Sequence, residues 1–307
     1  MHFEWKKLGN IFSANNYLRH PKLITHAANP LPIHLDNDVY RVFYSGRDIF
    51  NRSSVGAVDI DLSQLKVTHS HYNPVFEHGC KESFYADGVS IGNVYSVGSV
   101  NYMLFMGWQN PNIGHWRGDI GRLIVTPDLT LELDSPVPFM SCDETDPISL
   151  SYPWVQPSPE GGFNMWYGST NTWDSLNGEM IHVLKYASSK DGTNWQRHGL
   201  AIPYELGVAQ AFSRPTVIKD ADGYHMWFSF RSGTGQKYRI GYANSLDGLV
   251  WDRKASSGID VSESGWDSEM ICYPFVFEHK NEFYMLYNGN DFGKTGFGLA
   301  VLEKRCD

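Results

Sequence analysis

The sequence has few charged residues, few cysteines and no recognisable catalytic or cofactor-binding signature. Charged residues make up 19% of 307 positions, and the four cysteines (Cys80, Cys142, Cys272 and Cys306) show no Cys-x-x-Cys pair or metal-like spacing. No His-Glu-x-x-His pair or glycine-rich phosphate loop occurs, and we expect no cofactor, no metal ion and no Ser/His/Asp triad. The twelve histidines, some of them grouped at 20–34 and 69–78, leave a metal site as the minor alternative.

Long apolar runs are also missing. No segment approaches the roughly 20 apolar residues that cross a bilayer, and polar and charged residues follow Met1 closely. We therefore expect a cytoplasmic protein with reduced thiols, without a membrane span or signal peptide. The alternative is a leader that this sequence lacks. The formal net charge of −9 argues against a surface that binds nucleic acid.

What the sequence does contain is a repeated segment that predicts an all-β fold. Aromatic residues make up 14% of the chain and glycine occurs 29 times, which suits short strands and tight turns. Five segments, spaced about 60 residues apart, share one pattern: a small residue or Cys, a polar or aromatic residue, Pro or Gly, then apolar residues. They lie at 27–33, 85–91, 150–156, 212–218 and 271–277. Each predicts the first, innermost strand of one unit.

Further strand-like segments follow each repeat, and together they predict a five-bladed β-propeller. Four units carry a short fourth strand, whereas the last unit ends at Asp307 without one. Residues 3–9 match residues 194–199 of the third unit and would supply the missing strand, closing the ring and removing an exposed edge. We predict a single propeller domain over residues 1–307. The alternative is a β-sandwich or two β domains.

The predicted strand order gathers polar residues at one mouth of the propeller. Antiparallel strands place the start of each first strand beside the loop between the second and third strands. The first-strand positions are Asn29, Asp87, Tyr152, Arg214 and Tyr273. Long loops at 46–52, 108–117, 169–174, 231–237 and 290–295 would surround them, whereas the opposite face has short turns. Long loops on one face of a repeat architecture mark its functional face.

The residue types at this mouth are those that bind sugars. Aromatic rings pack against the C–H faces of sugars, while amides, carboxylates and guanidinium groups bond their hydroxyls. The predicted substrate-binding residues share a place in these loops or strand ends: Asn29, Arg47, Asp48, Trp108, Tyr152, Arg214, Arg231, Tyr273 and Asn290.

Asp87 and Glu269 are the predicted catalytic carboxylates. Glycoside cleavage needs an acid at the leaving oxygen and a base for water, and Asp87 is the one carboxylate at the first-strand positions. Glu269 lies just upstream of the fifth first strand, and the fifth unit neighbours the first in a closed ring. The structural alternatives are a cap on the Gly88 turn for Asp87 and a solvated loop position for Glu269. For Asp48 the alternative is a salt bridge with Arg47.

Arg214 is a predicted cation at the narrow inner position. A cation there needs an anionic partner or an anionic ligand. We expect it to pair with Glu269 or Asp87, or to bind a substrate carboxylate or phosphate. Arg231, from the same unit, would assist in binding such a group.

The sequence resembles the five-bladed propeller glycoside hydrolases of families 32, 43, 62, 68, 117 and 130. The resemblance lies in the repeated Tyr-Ala-x-Ser-x-Asp-Gly pattern at 186–192 and 242–248, each followed by Trp, and in the Tyr-x-Met-x-Tyr/Phe second strands. This blade pattern covers nearly the whole chain. The resemblance implies the propeller fold and an oligosaccharide, polysaccharide or glycoside ligand. The chain looks most like small intracellular relatives that occur with bacterial surface-polysaccharide genes.

Two positions depart from the family's pattern. Those hydrolases place an Asp at the start of the first unit's first strand and a general-acid Glu in the third unit, whereas this chain has Asn29 and Tyr152. The resemblance also implies an acid in the second unit, and Asp87 matches that position here. That Glu269 substitutes for the missing acid is our own inference.

Three functions follow as hypotheses. The first is glycosidic cleavage, by hydrolysis or by phosphorolysis with phosphate held by Arg214 and Arg231. The second is a non-catalytic or transfer-assisting glycan-binding protein of polysaccharide assembly, which Asn29 and Tyr152 favour. The third is a protein-binding scaffold, against which the polar, Trp-rich mouth argues.

Overall fold

The protein is built almost entirely from β-strands. A computed structural model describes residues 2–233 and 235–306, and these contain twenty strands, a 3₁₀ turn at Ala14–Asn16 and one helical turn at Asn290–Gly293. Within this part of the chain, no helix has the length and apolar character needed to cross a bilayer. The all-β class that the repeats predict is confirmed.

Four strands run antiparallel in each of five successive units. The chain begins with β1 (His2–Phe12), which belongs to the last unit. The first unit contains β2 (Thr25–Asp36), β3 (Val39–Arg47), β4 (Ser53–Asp61) and β5 (Lys66–Ser70). The second contains β6 (Gly88–Val97), β7 (Val100–Gln109), β8 (Arg117–Val125) and β9 (Leu131–Leu133).

The remaining three units repeat this arrangement. The third contains β10 (Leu150–Pro157), β11 (Phe163–Thr172), β12 (Ile181–Ser189) and β13 (Gln196–Leu200). The fourth contains β14 (Ala211–Asp220), β15 (Gly223–Arg231), β16 (Arg239–Ser245) and β17 (Asp252–Lys254). The fifth contains β18 (Cys272–His279), β19 (Glu282–Asn288) and β20 (Phe297–Cys306), with β1 as its fourth strand.

The N-terminal strand completes the last unit, as the sequence predicts. β1 pairs antiparallel with β20, from Phe3 opposite Arg305 to Phe12 opposite Phe297. β20 therefore has β19 on one side and β1 on the other, and it presents no free edge. The two ends of the chain thus share one sheet.

The first strands of the units contact one another in a cyclic order. β2 contacts β6, β6 contacts β10, β10 contacts β14, β14 contacts β18, and β18 contacts β2. A single apolar cluster contains buried residues from every unit, among them Phe43, Phe105, Trp166, Phe212 and Leu286. Burial of these side chains joins the units, since each unit alone would expose its apolar faces to water.

The pairing of first and second strands is interrupted at a corresponding place in every unit. The interruptions fall at Asn29–Pro30, Gly92–Asn93, Tyr152–Pro153, Arg214–Pro215 and Tyr273–Pro274. Proline is tolerated there because it has no N–H to give to the strand ladder. The residue before each proline has positive φ, between 35° at Tyr152 and 55° at Asn29.

The interruption in the second unit corrects the predicted alignment. Gly92, and not Asp87, is equivalent to the residues that precede proline in the other units. Asp87 lies before β6, where its carbonyl accepts from the Ser53 N–H at 3.0 Å and its N–H donates to the Trp108 carbonyl at 3.1 Å. The Asp87-Gly88 pair imitates the repeated pattern in sequence. A Cβ at Gly92 would lie 2.5 Å from the Pro153 carbonyl oxygen, so this position requires glycine.

The loops between second and third strands lie on one edge of the molecule, here termed the mouth edge. They share it with the starts of the first strands, because Thr25 lies opposite Arg47 and Ala211 opposite Arg231. Short hairpin turns between the first and second strands occupy the opposite edge. This separation of long loops from short turns agrees with the predicted antiparallel order.

Candidate functional site

A cavity of about 320 Å³ opens on the mouth edge and is here termed the mouth cavity. Every unit contributes to its lining, so it lies where the five units meet. The lining residues are Arg47, Asn51, Ser90, Met106, Trp108, Asn110, Trp116, Ser151, Tyr152, Met180, His182, Ser213, Arg231, Tyr238, Tyr273 and Phe292.

Two guanidinium groups line the mouth cavity. Arg47 is half-buried at the end of β3, and its Nη1 donates to Asn51 Oδ1 at 2.8 Å. Arg231 ends β15, and its Nη2 donates to Glu179 Oε1 at 2.7 Å. Its guanidinium carbon lies 5.1 Å from the centre of the Tyr238 ring, and its buried Nε has no partner among the described residues. Each guanidinium has five N–H donors, so both keep donors for a ligand.

Aromatic rings form much of the rest of the wall. Trp116 packs edge-to-face against Trp173 with ring centres 4.9 Å apart, and His115 stacks on Trp173 at 4.7 Å. The rings of Tyr152, from the third unit, and Tyr273, from the fifth, lie 5.3 Å apart. Burial raises the pKa of Tyr273 well above its usual value, so its hydroxyl stays neutral. The cavity therefore offers flat apolar faces with polar edges.

His182, at the start of β12, is buried against the mouth cavity with both ring nitrogens bonded. Its Nε2 lies 2.6 Å from Ser151 Oγ and its Nδ1 lies 2.8 Å from Thr170 Oγ1. Burial, and then the charge of Arg231, lower the pKa of His182 to about 4. The ring is therefore neutral near pH 7, with one nitrogen donating and the other accepting. Among the described residues, no three His, Cys, Asp or Glu side chains gather in a way that could hold a metal ion.

Arg214 lies beneath the mouth cavity and is bonded to backbone carbonyls. Its Nη1 donates to the Tyr273 carbonyl at 3.0 Å, and its Nη2 lies 3.2 Å, 3.1 Å and 3.3 Å from the carbonyl oxygens of Asn29, Pro30 and Gly92. Burial lowers the pKa of Arg214 to about 9, because few charges compensate for the lost hydration. The guanidinium of the fourth unit thus bonds the first strands of the fifth, first and second units.

The two predicted catalytic carboxylates lie on the mouth edge but outside the lining of the mouth cavity. Asp87 is half-buried, and its Oδ2 accepts from the backbone N–H of Asn110, a lining residue, at 2.6 Å. Glu269 is exposed, and its backbone N–H donates to Asn290 Oδ1 at 2.9 Å. In the described part of the chain neither carboxylate forms the predicted ion pair with Arg214, whose acceptors are carbonyls. Their catalytic role stays a prediction.

The other predicted binding residues fall into two groups. Five line the mouth cavity: Arg47, Trp108, Tyr152, Arg231 and Tyr273. Asn29 and Asn290 are not among the lining residues: the backbone of Asn29 is held by another side chain, and the side chain of Asn290 holds the backbone. Asn29 is 1% exposed and its N–H donates to Asn288 Oδ1 at 2.8 Å, while Asn290 Oδ1 accepts from the backbone N–H of Met270 at 3.0 Å.

Asp48 also has a structural partner, though not the predicted one. It forms a salt bridge with Arg52 at 2.8 Å rather than with Arg47, and its Oδ1 accepts from the N–H groups of Phe50 and Arg52, each at 2.9 Å. Burial opposes its ionisation, but hydrogen bonds from the Arg52 backbone and side chain hold the pKa of Asp48 below its usual range. Asp48 therefore fixes the shape of its loop.

Several lining residues escape a sequence-based prediction. Ser151 and Ser213 directly precede the interrupted positions, and the only signal for them is the small residue of the repeated pattern. Trp116 lies in a predicted mouth loop, but loop composition alone does not show which of its aromatic residues turns inward. His182 begins a predicted third strand, and nothing in its local sequence marks it as a cavity residue.

Two proteins of Mycobacterium tuberculosis match nearly the whole chain, whereas no protein-family model does. They are the uncharacterized proteins MT1551 (strain CDC 1551 / Oshkosh) and Rv1502 (strain ATCC 25618 / H37Rv), each 41% identical over 303 residues, covering 97% of this chain and 99% of the relative. The chain belongs to their family. Glucosamine inositolphosphorylceramide transferase 1 of Oryza sativa subsp. indica is 34% identical over 92 residues, 29% of this chain and 11% of that protein.

Solved structures share this fold at low sequence identity. A glycoside hydrolase superposes with a TM-score of 0.76 at 14% identity, over 99% of this chain and 93% of its own. The endo-arabinase of Bacteroides thetaiotaomicron VPI-5482 gives 0.64 at 12% identity, over 97% of this chain and 98% of its own. A structure from the GH130 family of mannoside phosphorylases gives 0.69 at 11%, over 97% and 93%. The chain therefore has the fold of the propeller-type glycoside hydrolases, and the resemblance seen in its sequence is confirmed at the level of fold.

Proposed function

We propose that the protein is a carbohydrate-active, closed five-bladed propeller that binds a glycan with an anionic group in its mouth cavity. The cyclic contacts of the first strands and the pairing of β1 with β20 support the closed ring. The shared fold of glycoside hydrolases and phosphorylases supports a carbohydrate ligand.

The lining of the mouth cavity is the observation that carries this proposal. Trp116 and Tyr152 offer ring faces for the C–H groups of a sugar, and the Asn110 amide can bond its hydroxyls. Arg47 and Arg231 add two planar forks that suit a phosphate or a carboxylate on the glycan. With a neutral sugar, Arg47 would have no anionic partner among the described residues, whereas Arg231 already pairs with Glu179.

The rice relative supports the same class of ligand. Its name contains an amino sugar, glucosamine, and inositolphosphorylceramide, a lipid that carries a phosphate. Its similarity to this chain is limited to 92 residues. A glycan-binding propeller that assists transfer of a sugar onto a phosphate-bearing acceptor fits both that name and the two arginines of the mouth cavity. For this chain, we place the glycan among the surface polysaccharides of bacteria or their precursors.

Calorimetric titration tests the binding proposal. The probes are methyl mannoside, mannose 1-phosphate, methyl glucuronide and inorganic phosphate. We expect the anionic sugars to bind more tightly than the neutral one. The Arg47→Met variant loses one charge-assisted bond, so the ratio of the affinities for anionic and neutral sugars should fall by about tenfold. Arg253→Met, which removes a half-buried arginine of the outer strand β17 that pairs with the exposed Glu205, is the matched control. The absence of heat with every sugar, or equal losses in both variants, would contradict the proposal.

Cleavage of a glycosidic bond is the second candidate function. The position of Asp87 favours it, because this carboxylate bonds the backbone of Asn110 directly behind the wall of the mouth cavity. Glu269 would supply a second carboxylate from the fifth unit. Phosphate bound by Arg47 and Arg231 would allow phosphorolysis, in which the nucleophile needs no base to activate it.

An NMR time course on oligosaccharides of bacterial surface glycans separates binding from cleavage. It compares the wild type with Asp87→Asn and Glu269→Gln, with and without phosphate. New anomeric signals that both substitutions abolish would establish cleavage by these carboxylates, and a need for phosphate would make the enzyme a phosphorylase. Ligand signals that broaden without new products would favour binding alone. Cleavage that survives both substitutions would remove the catalytic assignment.

A further inference from the structure

The two arginines that line the mouth cavity differ in their partners. Arg231 pairs with a carboxylate, since Glu179 Oε1 accepts from Arg231 Nη2 at 2.7 Å. Arg47 instead donates to the neutral amide oxygen of Asn51 at 2.8 Å, and no carboxylate among the described residues forms an ion pair with it. Asp48, its neighbour in sequence, pairs with Arg52. In the described part of the chain, the charge of Arg231 is therefore offset and that of Arg47 is not.

The backbone and the carboxylate of Glu179 are both held in place. Its carbonyl accepts from the N–H of Ser175 at 3.0 Å and from Ser175 Oγ at 2.7 Å. Its Oε1 also accepts from the backbone N–H of Met180, a lining residue, at 2.9 Å. The Glu179 side chain is only 6% exposed, so water and salt screen its charge weakly. Glu179 is thus a fixed partner of Arg231 at the wall of the mouth cavity.

An anion that binds Arg231 must contend with this carboxylate. If the anion took Arg231 away from Glu179, it would leave a buried carboxylate unpaired, which is strongly unfavourable. If it approached Arg231 with the pair intact, it would lie near the negative charge of Glu179 and be repelled. Arg231 can still donate to the hydroxyl groups of a sugar, because these carry no charge.

The remaining groups at the wall add no compensating cation. The lining residues that are charged near neutral pH are Arg47 and Arg231, because burial and the charge of Arg231 keep His182 neutral. Behind the wall, Asp87 Oδ2 accepts from the backbone N–H of Asn110 at 2.6 Å and places a further negative charge nearby. The cavity and its immediate partners therefore offer a ligand one unpaired positive charge, that of Arg47.

We infer that Glu179 restricts the mouth cavity to ligand groups with a single negative charge, which Arg47 binds. This inference rests on the proposed function and narrows the class of glycan. A carboxylate, as in a uronic acid, and a phosphodiester share this chemistry, and either can accept two bonds from one guanidinium fork. A phosphate monoester carries nearly two charges at neutral pH, and its second charge would meet only the Arg231–Glu179 pair.

Calorimetric titration at about pH 8, where a phosphate monoester carries two charges, tests the inference. The probes are methyl glucuronide, the methyl diester of mannose 1-phosphate, and mannose 1-phosphate itself. The test variant is Glu179→Gln, which removes the charge and keeps an acceptor for the Met180 N–H. The matched control is Asp134→Asn, which removes the carboxylate from a largely buried pair with Arg122 in the second unit, outside the lining of the cavity.

We expect the wild type and the control to bind both monoanionic sugars more tightly than mannose 1-phosphate. Glu179→Gln should raise the affinity for mannose 1-phosphate by about tenfold, because Arg231 then forms a charge-assisted bond with it. The affinities for the two monoanions should change by less than about threefold, because Arg47 already binds their charge. Adding Arg231→Met to Glu179→Gln should abolish the gain. A gain in affinity cannot result from damage to the fold.

An unchanged or lower affinity of Glu179→Gln for mannose 1-phosphate would overturn the inference, as would an equal gain in the Asp134→Asn control. Tighter binding of the glucuronide than of the diester, or the reverse, with the gain for the monoester as expected, would support the inference and identify the anionic group. Failure of every sugar to bind the wild type would contradict the proposed function and, with it, this inference.

Discussion

The Nη1 group of Arg214 donates to the carbonyl oxygen of Tyr273 at 3.0 Å, across the centre of the molecule. The acceptors of its Nη2 are also backbone carbonyls, those of Asn29, Pro30 and Gly92. From the sequence alone, an arginine at this inner position predicts an anionic partner. Here carbonyl dipoles take that place, and the residue joins the first strands of four units.

Replacement of Arg214 by Met should destabilise the fold. It removes the hydrogen bonds from the guanidinium to these backbone carbonyls, and a bond from a charged group is worth about 1.5–3 kcal/mol. Relief from burying a charge, which lowers the pKa of Arg214 to about 9, offsets part of this loss. We expect a net loss of roughly 1–3 kcal/mol in the free energy of unfolding measured in urea. Arg47→Met, at the half-buried cavity wall, should change it by less than about 1 kcal/mol. Unchanged stability of the Arg214 variant, with loss of ligand binding, would restore the ligand-binding role that the sequence suggests.

The units and their order could be predicted because their signals are local. Pro30, Pro153, Pro215 and Pro274 each mark the interruption of a first strand, since proline cannot donate to the ladder. The second unit has Gly92 and Asn93 there, and Asp87-Gly88 offers a closer match to the repeated pattern. A local pattern cannot choose between these two alternatives, because the register of pairing decides it.

The candidate site could be predicted only in part, because its contacts depend on the path of each loop. Asp48 has Arg47 as its neighbour in sequence, but the turn brings Arg52 to its carboxylate. Arg47 points instead to Asn51 and the mouth cavity. Residue types in a loop thus indicate a sugar site, whereas the side chains that line it follow from backbone hydrogen bonds that the sequence does not display.

Gly92→Ala tests the equivalence of Gly92 with the other interrupted positions. Its Cβ would lie 2.5 Å from the Pro153 carbonyl oxygen and 3.2 Å from that of Leu104, both backbone atoms of packed strands. We expect a loss of roughly 1–3 kcal/mol in unfolding free energy from this overpacking. Gly233→Ala is the control, since its nearest neighbour is 3.9 Å away and stability should stay within about 0.5 kcal/mol. Equal effects of the two substitutions would argue against close packing at Gly92.

His182 should make stability depend on pH below neutrality. Its pKa is lowered from 6.5 to about 4 by burial and by Arg231, so the folded protein holds the ring neutral. As pH falls from about 6.5 to about 4, the unfolded chain takes up a proton that the folded protein does not. The stability that the folded protein gains from neutral His182 is therefore fully present above about pH 6.5. It is lost as the pH falls to about 4, and its size is on the order of 3 kcal/mol.

The measurement for His182 compares urea unfolding of the wild type and of His182→Gln at about pH 5 and at about pH 7. Most of the titration of His182 in the unfolded chain falls between these two values. His26, whose pKa is lowered to about 3 by burial and by Arg47, titrates similarly in both proteins. The difference between the two proteins therefore isolates His182. We expect the variant to lose less stability on acidification than the wild type. Parallel pH profiles would show that the ring is not held neutral by burial.

Asp146 should be the acidic residue whose removal most destabilises the third unit. It is fully buried and accepts from Lys185 Nζ at 2.6 Å, Arg197 Nη1 at 2.8 Å, Tyr167 Oη at 2.8 Å and Ser169 Oγ at 2.6 Å. Burial opposes its ionisation, but the bonds from Lys185, Ser169 and Tyr167 hold the pKa of Asp146 below its usual range. Asp146→Asn removes the charge, leaving Lys185 without its carboxylate and Arg197 with Asp143 alone, so we expect a loss of roughly 3–5 kcal/mol in unfolding free energy.

Asp143 provides the matched control for this prediction, since its Oδ1 lies 2.8 Å from the same Arg197 but its side chain is 46% exposed. Water screens that pair, and an Asn side chain can still accept from the backbone N–H of Thr145, which Asp143 accepts at 2.8 Å. Asp143→Asn should therefore lower the unfolding free energy by less than about 1 kcal/mol. Losses of similar size in the two variants would mean that burial does not decide the energy of these carboxylates. The network around Tyr167 would then have to be stabilised by packing rather than by the charge of Asp146.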